Sequence, residues 1–118
     1  MKTKPEQINS DWSDQLLPLS AVMAALPDAE AVKAFLLDLC TPAELQAMVD
    51  RWTVVQLLQR GLSYRAINEK TGISVTTVGR VARFLEMGNG GYQAALEVLE
   101  RSRSSSPDTD VTTEALAS

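Results

Sequence analysis

Histidine is absent from this sequence of 118 residues, cysteine occurs once, and aromatic residues make up only 5%. Without histidine the chain lacks the side chain that most often acts as a general base near neutral pH, and it lacks a common metal ligand. Cys40 has no partner for an internal disulfide, and its place in an apolar run predicts a core residue. The glycine cluster at 88–91 is not followed by the Lys and Ser or Thr of a phosphate-binding loop. We therefore expect neither an enzyme nor a metal site, and no cofactor.

Long hydrophobic runs are missing as well. The apolar stretches span only a few residues, which is too short for a transmembrane helix or for the hydrophobic region of a signal peptide. We therefore expect a cytoplasmic protein with no membrane partner. Hydrophobic residues nevertheless make up 45% of the chain, with alanine, leucine and valine prominent and no alternating strand pattern. This composition predicts one all-α domain with its own core.

The sequence divides into a tail, a helical domain and a second tail. Residues 1–13 are polar and mixed in charge, which predicts a flexible N-terminal tail. Residues 103–118 are dominated by serine, threonine and acidic residues, which predicts a disordered C-terminal tail. The helical domain is expected over 14–102. The glycines of 88–91 separate its last helix, which should run from Tyr92 to about Ser102.

Local start signals predict the first two helices. The first is expected from about Leu16 to Leu26, because Pro18 is tolerated only in a first turn. Asp28 can cap a second helix that ends at about Leu39. The apolar residues of this second helix form one stripe that can face a core: Val32, Phe35, Leu36 and Leu39.

A third, longer helix carries more apolar residues than one buried face requires. Thr41, Pro42 and Glu44 supply a capping threonine, a first-turn proline and a glutamate that closes a capping box, and Gly61 marks the end. Apolar residues cover over half of the helix circumference: Leu45, Ala47, Met48, Val49, Trp52, Val54, Val55, Leu57 and Leu58. Such a helix is usually covered from two sides, so we expect a homodimer in which a second copy covers one of them. A compact monomeric bundle with this helix at its centre is the alternative.

The segment from Ser63 to about residue 86 has the pattern of a helix-turn-helix. A short helix runs into Gly72, which can take the positive φ that a sharp corner needs. Ser74 can then cap a second helix. The apolar residues of both helices are spaced to share one small core: Ile67, Ile73, Val78 and Val81. The second helix of such a motif enters the major groove of DNA, and an ordinary helical hairpin is the alternative.

The net charge of −4 conceals a local basic surface. Between residues 60 and 83 the only acidic residue is Glu69, and it is outnumbered by the cations Arg60, Arg65, Lys70, Arg80 and Arg83. A basic face on an acidic protein can still neutralise phosphates, so we expect double-stranded DNA as the partner. A basic face that is merely solvated is the alternative.

Three segments resemble the Trp-repressor superfamily: Thr41-Pro42 at the head of the long helix, Gly61 to Arg65, and Gly72 to Arg80. Gly88 to Tyr92 is similar to a glycine-containing element of the YerC/YecD-type branch of that superfamily. The resemblance spans about Leu19 to Glu100. It implies an all-helical, intertwined homodimer that binds a palindromic operator and regulates transcription as a repressor.

The resemblance also implies which side chains face DNA: Arg65, Asn68, Ser74, Val75, Thr76 and Arg80. Arg65 has the reach for a guanine, and the methyl groups of Val75 and Thr76 can meet a thymine methyl. Ser74 and Thr77 are short donors suited to phosphate or bridging water, and Arg83 is expected on phosphate as well. For Thr76 and Thr77, the ordinary chemistry of a helix N-terminus is the alternative.

Asn68 occupies a position where the general helix-turn-helix pattern has a small alanine. A buried amide without partners would cost about 1–3 kcal/mol. The Trp-repressor class places a polar residue there, so we expect Asn68 to face DNA and to pair with adenine or a phosphate.

The effector pocket of the superfamily is matched only in part by this sequence. Arg51 and Arg80 match the two arginines that flank bound tryptophan in the superfamily, and Thr41 matches a position at the start of the long helix. Val81, however, replaces the glycine that admits the indole, and Phe84 replaces a serine that helps hold the amino group of the ligand. We expect both to lie in the core, so tryptophan is not expected as corepressor, while another small-molecule effector stays open.

Docking on another protein of the transcription machinery is the alternative function, since a fold does not determine its use. A face that docks on protein should present apolar anchors. The outward residues predicted for this motif are polar and cationic, so DNA binding is favoured.

Overall fold

The computed structural model describes residues 5–105, with side chains placed from Trp12 to Ser104. These residues form α-helices and no strand: α1 (Pro5–Ala25), α2 (Ala29–Leu39), α3 (Pro42–Gln59), α4 (Tyr64–Thr71), α5 (Val75–Met87) and α6 (Gly91–Ser105). The all-α prediction is confirmed. A helix able to cross a bilayer is not found among them. The boundary between two compact units falls after Leu45, near the start of α3.

The predicted start of α1 is wrong. The helix begins at Pro5 and not at Leu16, and Pro18 lies inside it and not in its first turn. Pro5 is well placed, because a first-turn N–H has no partner within a helix. Pro18 removes one backbone hydrogen bond, yet the helix continues on both sides of it. Residues 5–13 of the predicted tail therefore belong to α1, and residues 1–4 lie outside the described chain.

The predicted start signals of α2 and α3 are present as hydrogen bonds. The Asp28 carboxylate accepts from the backbone N–H of Ala31 at 2.9 Å. The Glu44 carboxylate accepts from the Thr41 N–H at 2.8 Å, and the Thr41 hydroxyl accepts from the Glu44 N–H at 3.1 Å. These reciprocal bonds are the predicted capping box, and they define where α3 begins.

The first compact unit buries little apolar surface. No residue of α2 is fully buried, and the stripe residue Leu39 is 51% exposed. Cys40 is half-buried at the end of α2, so its predicted place in the core is wrong. It follows the last helical residue and therefore lies at the edge of the stripe. Large apolar side chains of α1 and α2 are exposed, among them Leu16, Leu17, Val22 and Leu37.

The core of the second unit joins α3 to the helix-turn-helix. Its buried residues come from α3, α4, α5 and the turn between the last two: Val54, Val55, Leu57, Ile67, Ile73, Val78 and Val81. The four residues predicted to share a small core are all among them. Each such side chain contributes about 1.5–3 kcal/mol when it leaves water, so this cluster is the main force that holds α4 and α5 in place.

α6 begins close to the predicted chain break and continues further than expected. Gly90 has φ of 85°, a left-handed conformation that reverses the chain before Gly91. The side-chain amide of Gln93 donates to the Leu85 carbonyl at 3.0 Å and ties the start of α6 to α5. Residues 103–105 of the predicted C-terminal tail are helical. Residues 106–118 lie outside the described chain.

Candidate nucleic-acid interface

α4 and α5 meet at a turn formed by Gly72, Ile73 and Ser74. Gly72 has φ of 81°, in the left-handed region that glycine adopts without strain. The Ser63 hydroxyl accepts from the Ala66 N–H and the Ser74 hydroxyl accepts from the Thr77 N–H, each at 3.1 Å. Both helices therefore begin with a capped N-terminus, and the predicted helix-turn-helix is present.

Two side chains of α4 brace this turn. The amide Nδ2 of Asn68 donates to the Ile73 carbonyl at 2.9 Å. The Thr71 hydroxyl donates to the Ile67 carbonyl at 2.7 Å and accepts from the Ile73 N–H at 3.0 Å. Both backbone polar groups of the buried Ile73 are thereby satisfied. Thr71 was not among the residues predicted for this motif, although it directly precedes the turn glycine and a threonine can bond back to the carbonyl four residues earlier.

The bond made by Asn68 changes what this residue can do on DNA. Asn68 is half-buried, and its amide nitrogen is engaged within the protein. A two-bond contact to adenine uses both the nitrogen and the oxygen of the amide, so it would require breaking the bond to Ile73. The partner carbonyl also removes the cost of burying an unpaired amide, which was the reason to expect Asn68 to face DNA.

Most of the predicted DNA-facing side chains are exposed: Arg65, Ser74, Val75, Thr76, Arg80 and Arg83. Thr76, Arg80 and Arg83 follow one another at spacings of four and three, so they share one face of α5. Thr77 is half-buried, and its hydroxyl accepts a hydrogen bond from the Ser74 hydroxyl at 3.1 Å. These two hydroxyls therefore serve the N-terminus of α5, in addition to any contact they make with DNA.

The arginines of this face have no acidic partner in the described chain. The ion pair found between residues 12 and 104 joins Arg103 to Glu100 on α6 at 4.0 Å, and it does not involve Arg65, Arg80 or Arg83. No carboxylate of the described residues lies within ion-pair distance of them, and Asp50, which lines the same cleft as Arg80, makes no ion pair with it. These guanidinium groups are therefore available to phosphates and base edges.

A cleft of about 390 Å³ is bordered by α3, α5 and the start of α6. Its lining includes Arg51, Thr77, Arg80, Val81, Phe84 and Tyr92. The two arginines predicted to flank an effector thus border one cleft. Thr41 belongs to the other compact unit, where its hydroxyl caps α3. Across the described residues, His, Cys, Asp and Glu form no group of three that could hold a metal ion.

The core prediction is confirmed for Val81 and wrong for Phe84. Val81 is 2% exposed, whereas Phe84 is 51% exposed. Successive residues of an α-helix are about 100° apart, so Phe84 lies roughly a quarter turn from the buried stripe that includes Val78 and Val81. Its ring borders the cleft and does not fill a closed core.

Comparison with known proteins gives consistent matches over most of the chain. Residues 14–100 match the family model for the Trp repressor protein. The uncharacterized protein YerC of Bacillus subtilis (strain 168) is 34% identical over 100 residues, which cover 85% of this chain and 96% of YerC. A crystal structure of a candidate Trp repressor from Staphylococcus aureus has a TM-score of 0.71 at 31% identity and covers 80% of this chain and 94% of its own. The crystal structure of a TrpR-like protein from Eubacterium eligens ATCC 27750 has a TM-score of 0.66 at 33% identity. This match covers 80% of the present chain and 95% of the Eubacterium eligens chain.

Proposed function

The chain belongs to the Trp repressor family, and from that premise we propose that it is a sequence-specific transcription repressor that binds a palindromic operator as a homodimer. The family is one of DNA-binding regulators and not of enzymes. The observation that carries the proposal is the exposed face of α5, where Arg80 and Arg83 have no acidic partner among the described residues and lie beside a braced turn.

The chemistry of this face favours DNA over a protein partner. Thr76, Arg80 and Arg83 on this face are polar or cationic, and Val75 beside them is 50% exposed. Toward the end of α5 the apolar side chains of Phe84 and Met87 are also exposed, by 51% and 77%. A surface that docks on protein relies on buried aromatic or aliphatic anchors. Unpaired guanidinium groups instead suit phosphates and guanine edges. Docking on the transcription machinery is therefore the second candidate, and the exposed apolar residues Val75, Phe84 and Met87 favour it.

Exposed apolar residues support the homodimer. On α3, Met48 is 41% exposed and Val49 is 58% exposed. In the other compact unit, α1 and α2 also leave large apolar side chains exposed. A second copy that covers these residues would also supply the second recognition helix that a palindromic operator requires.

The cleft supports a regulator that does not depend on tryptophan. Val81 stands where the superfamily has the glycine that admits the indole ring, and it is buried. Because Phe84 leaves the cleft open, we propose that an effector of another kind would have to fit between Arg51 and Arg80.

Binding to fluorescein-labelled duplex DNA, measured by anisotropy at several salt concentrations, tests the proposal. The wild-type protein should bind with an affinity that falls steeply as salt rises, because bound arginines displace counterions from phosphates. A variant with Arg65, Arg80 and Arg83 replaced by alanine should lose this binding. The matched control is Arg101→Ala, which removes one exposed cation from α6 and should bind like wild type. Equal binding by the triple variant would contradict the proposal, and capture of a polymerase subunit in the absence of DNA would favour the second candidate.

A further inference from the structure

We propose that Tyr64 and Gly79 form the point where the DNA backbone comes closest to the helix-turn-helix, with the Tyr64 hydroxyl donating a hydrogen bond to a phosphate. This inference rests on the proposed DNA-binding function. It adds two residues to the interface that neither the charge pattern nor the family resemblance assigns.

Gly79 is a glycine that the fold of the chain does not require. It lies inside α5, where glycine is less favourable than alanine. The glycines with positive φ in the described chain are Gly61, Gly72 and Gly90, so the backbone at Gly79 suits any residue. A Cβ atom built on Gly79 would meet only the ring carbon Cε2 of Tyr64, at 3.7 Å, which is an ordinary contact. A glycine at this position does, however, let another molecule approach the helix backbone closely.

Gly79 lies among the residues expected to contact DNA. It follows Val75 by four residues and Thr76 by three, and it precedes Arg83 by four. Residues at these spacings share a face of a helix, so the half-buried Gly79 lies at the edge of the exposed side of α5, next to the Tyr64 ring. Because Arg83 lies one helical turn from Gly79 and has no acidic partner among the described residues, a phosphate is the group that suits this position.

Tyr64 supplies a hydrogen-bond donor beside Gly79. It is the first residue of α4 and is 44% exposed, with the edge of its ring near Gly79. Its hydroxyl has no hydrogen-bond partner among the described residues. Tyrosine hydroxyls are among the uncharged donors that contact DNA phosphates and set the register of a protein on the duplex. The ring covers the α4 side of Gly79, and the hydroxyl is free to meet a phosphate that approaches this glycine.

Tyr64→Phe and Gly79→Ala separate this interface role from a structural one. Tyr64→Phe should lower the affinity about five- to tenfold for every duplex, while the slope of log affinity against log salt stays unchanged, because the lost donor is uncharged. Gly79→Ala should raise the Tm by about 4 °C, because alanine is the better helix former. The same variant should bind DNA at least tenfold more weakly, because its methyl group keeps the phosphate away from the helix backbone. Opposite changes in stability and in DNA binding are not expected from a misfolded protein.

The matched control is Gly91→Ala, an exposed glycine at the start of α6 whose added Cβ would meet nothing within 4 Å. It should bind DNA like wild type. The double variant Tyr64→Phe/Gly79→Ala should lose less affinity than the product of the single losses, because both residues serve one phosphate.

The proposal is overturned if Gly79→Ala or Tyr64→Phe binds DNA as tightly as the wild-type protein in an assay in which the Gly91→Ala control also binds. A loss of affinity in Tyr64→Ala that is absent in Tyr64→Phe would also overturn it, because only the ring would then contribute. If the wild-type protein binds no duplex DNA, the proposed function fails together with this inference.

Discussion

Arg65 and Arg83 are both exposed and both lack an acidic partner among the described residues, yet we expect them to act differently on DNA. Arg65→Ala should lose about 1–3 kcal/mol on the best operator and relax one base preference, as the removal of a base contact does. Arg83→Ala should weaken all sequences alike and flatten the salt dependence, as the removal of a phosphate contact does. Salt-titrated anisotropy on operator and scrambled duplexes measures both effects. Two variants that bind every duplex like wild type would show that this face is misassigned.

Asn68 should matter for stability more than for base preference. Asn68→Ala leaves the Ile73 carbonyl without its side-chain donor, so we expect a loss of about 1–3 kcal/mol in the free energy of unfolding. Urea denaturation followed by circular dichroism measures this loss. The exposed neighbour Glu69 gives the control, since Glu69→Ala should change stability by no more than about 0.5 kcal/mol. An unchanged stability together with one relaxed base preference would restore the direct role on DNA.

Local hydrogen bonds were the most predictable part of the structure at this scale. The caps made by Asp28 and Ser74 each join a side chain to a backbone group three residues on, so sequence spacing alone predicts them. Ser63 makes a cap of the same kind that was not predicted. The bond from Asn68 spans a turn whose shape depends on how Ile73 is buried. Spacing carries no record of that shape, so the sequence did not predict this bond, and the expected contact of Asn68 with DNA stays a prediction.

Helix ends that carry a clear local signal in the sequence were predicted well, whereas the start of α1 was not. The capping box of α3 and the glycine after α4 are both present. The start of α1 was misplaced, because Pro18 was taken as a first-turn residue although a helix can continue through one missing hydrogen bond. Phe84 was misplaced because the edge of an apolar stripe has no sequence mark of its own.

The arrangement of α3 and α5 predicts that DNA binding does not require tryptophan. A corepressor acts only through a difference in its affinity for the two states of the protein, and Val81 fills the position that would admit an indole. The protein should bind its operator in tryptophan-free buffer, and millimolar tryptophan should change the affinity by less than about twofold, or roughly 0.4 kcal/mol.

Calorimetry and operator binding, each with and without tryptophan, provide the measurement. The variant Val81→Gly/Phe84→Ser should gain a measurable heat of tryptophan binding at some cost in stability. Heat from tryptophan binding to the wild-type protein, together with a tenfold gain in operator affinity, would contradict the prediction.

For the whole molecule, we expect two copies to associate through apolar surface that one chain leaves exposed. Val49→Asp places a charge on an α3 residue that is 58% exposed in the single chain, so it should dissociate the dimer and leave the helices folded. Val55→Asp gives the contrast, because Val55 is fully buried and its replacement should unfold the second unit. Sedimentation and circular dichroism together distinguish the two results. A wild-type protein that sediments as a monomer at tens of micromolar would contradict the homodimer.

Selection of bound sequences from a pool of random duplex DNA tests the central claim most directly, because it reports DNA binding, sequence preference and symmetry in one measurement. The account predicts enrichment of one half-site that appears twice, inverted, with its two centres about one helical turn of DNA apart. A pool that shows no enrichment after repeated rounds, or that converges on a single half-site with no inverted copy, would contradict it.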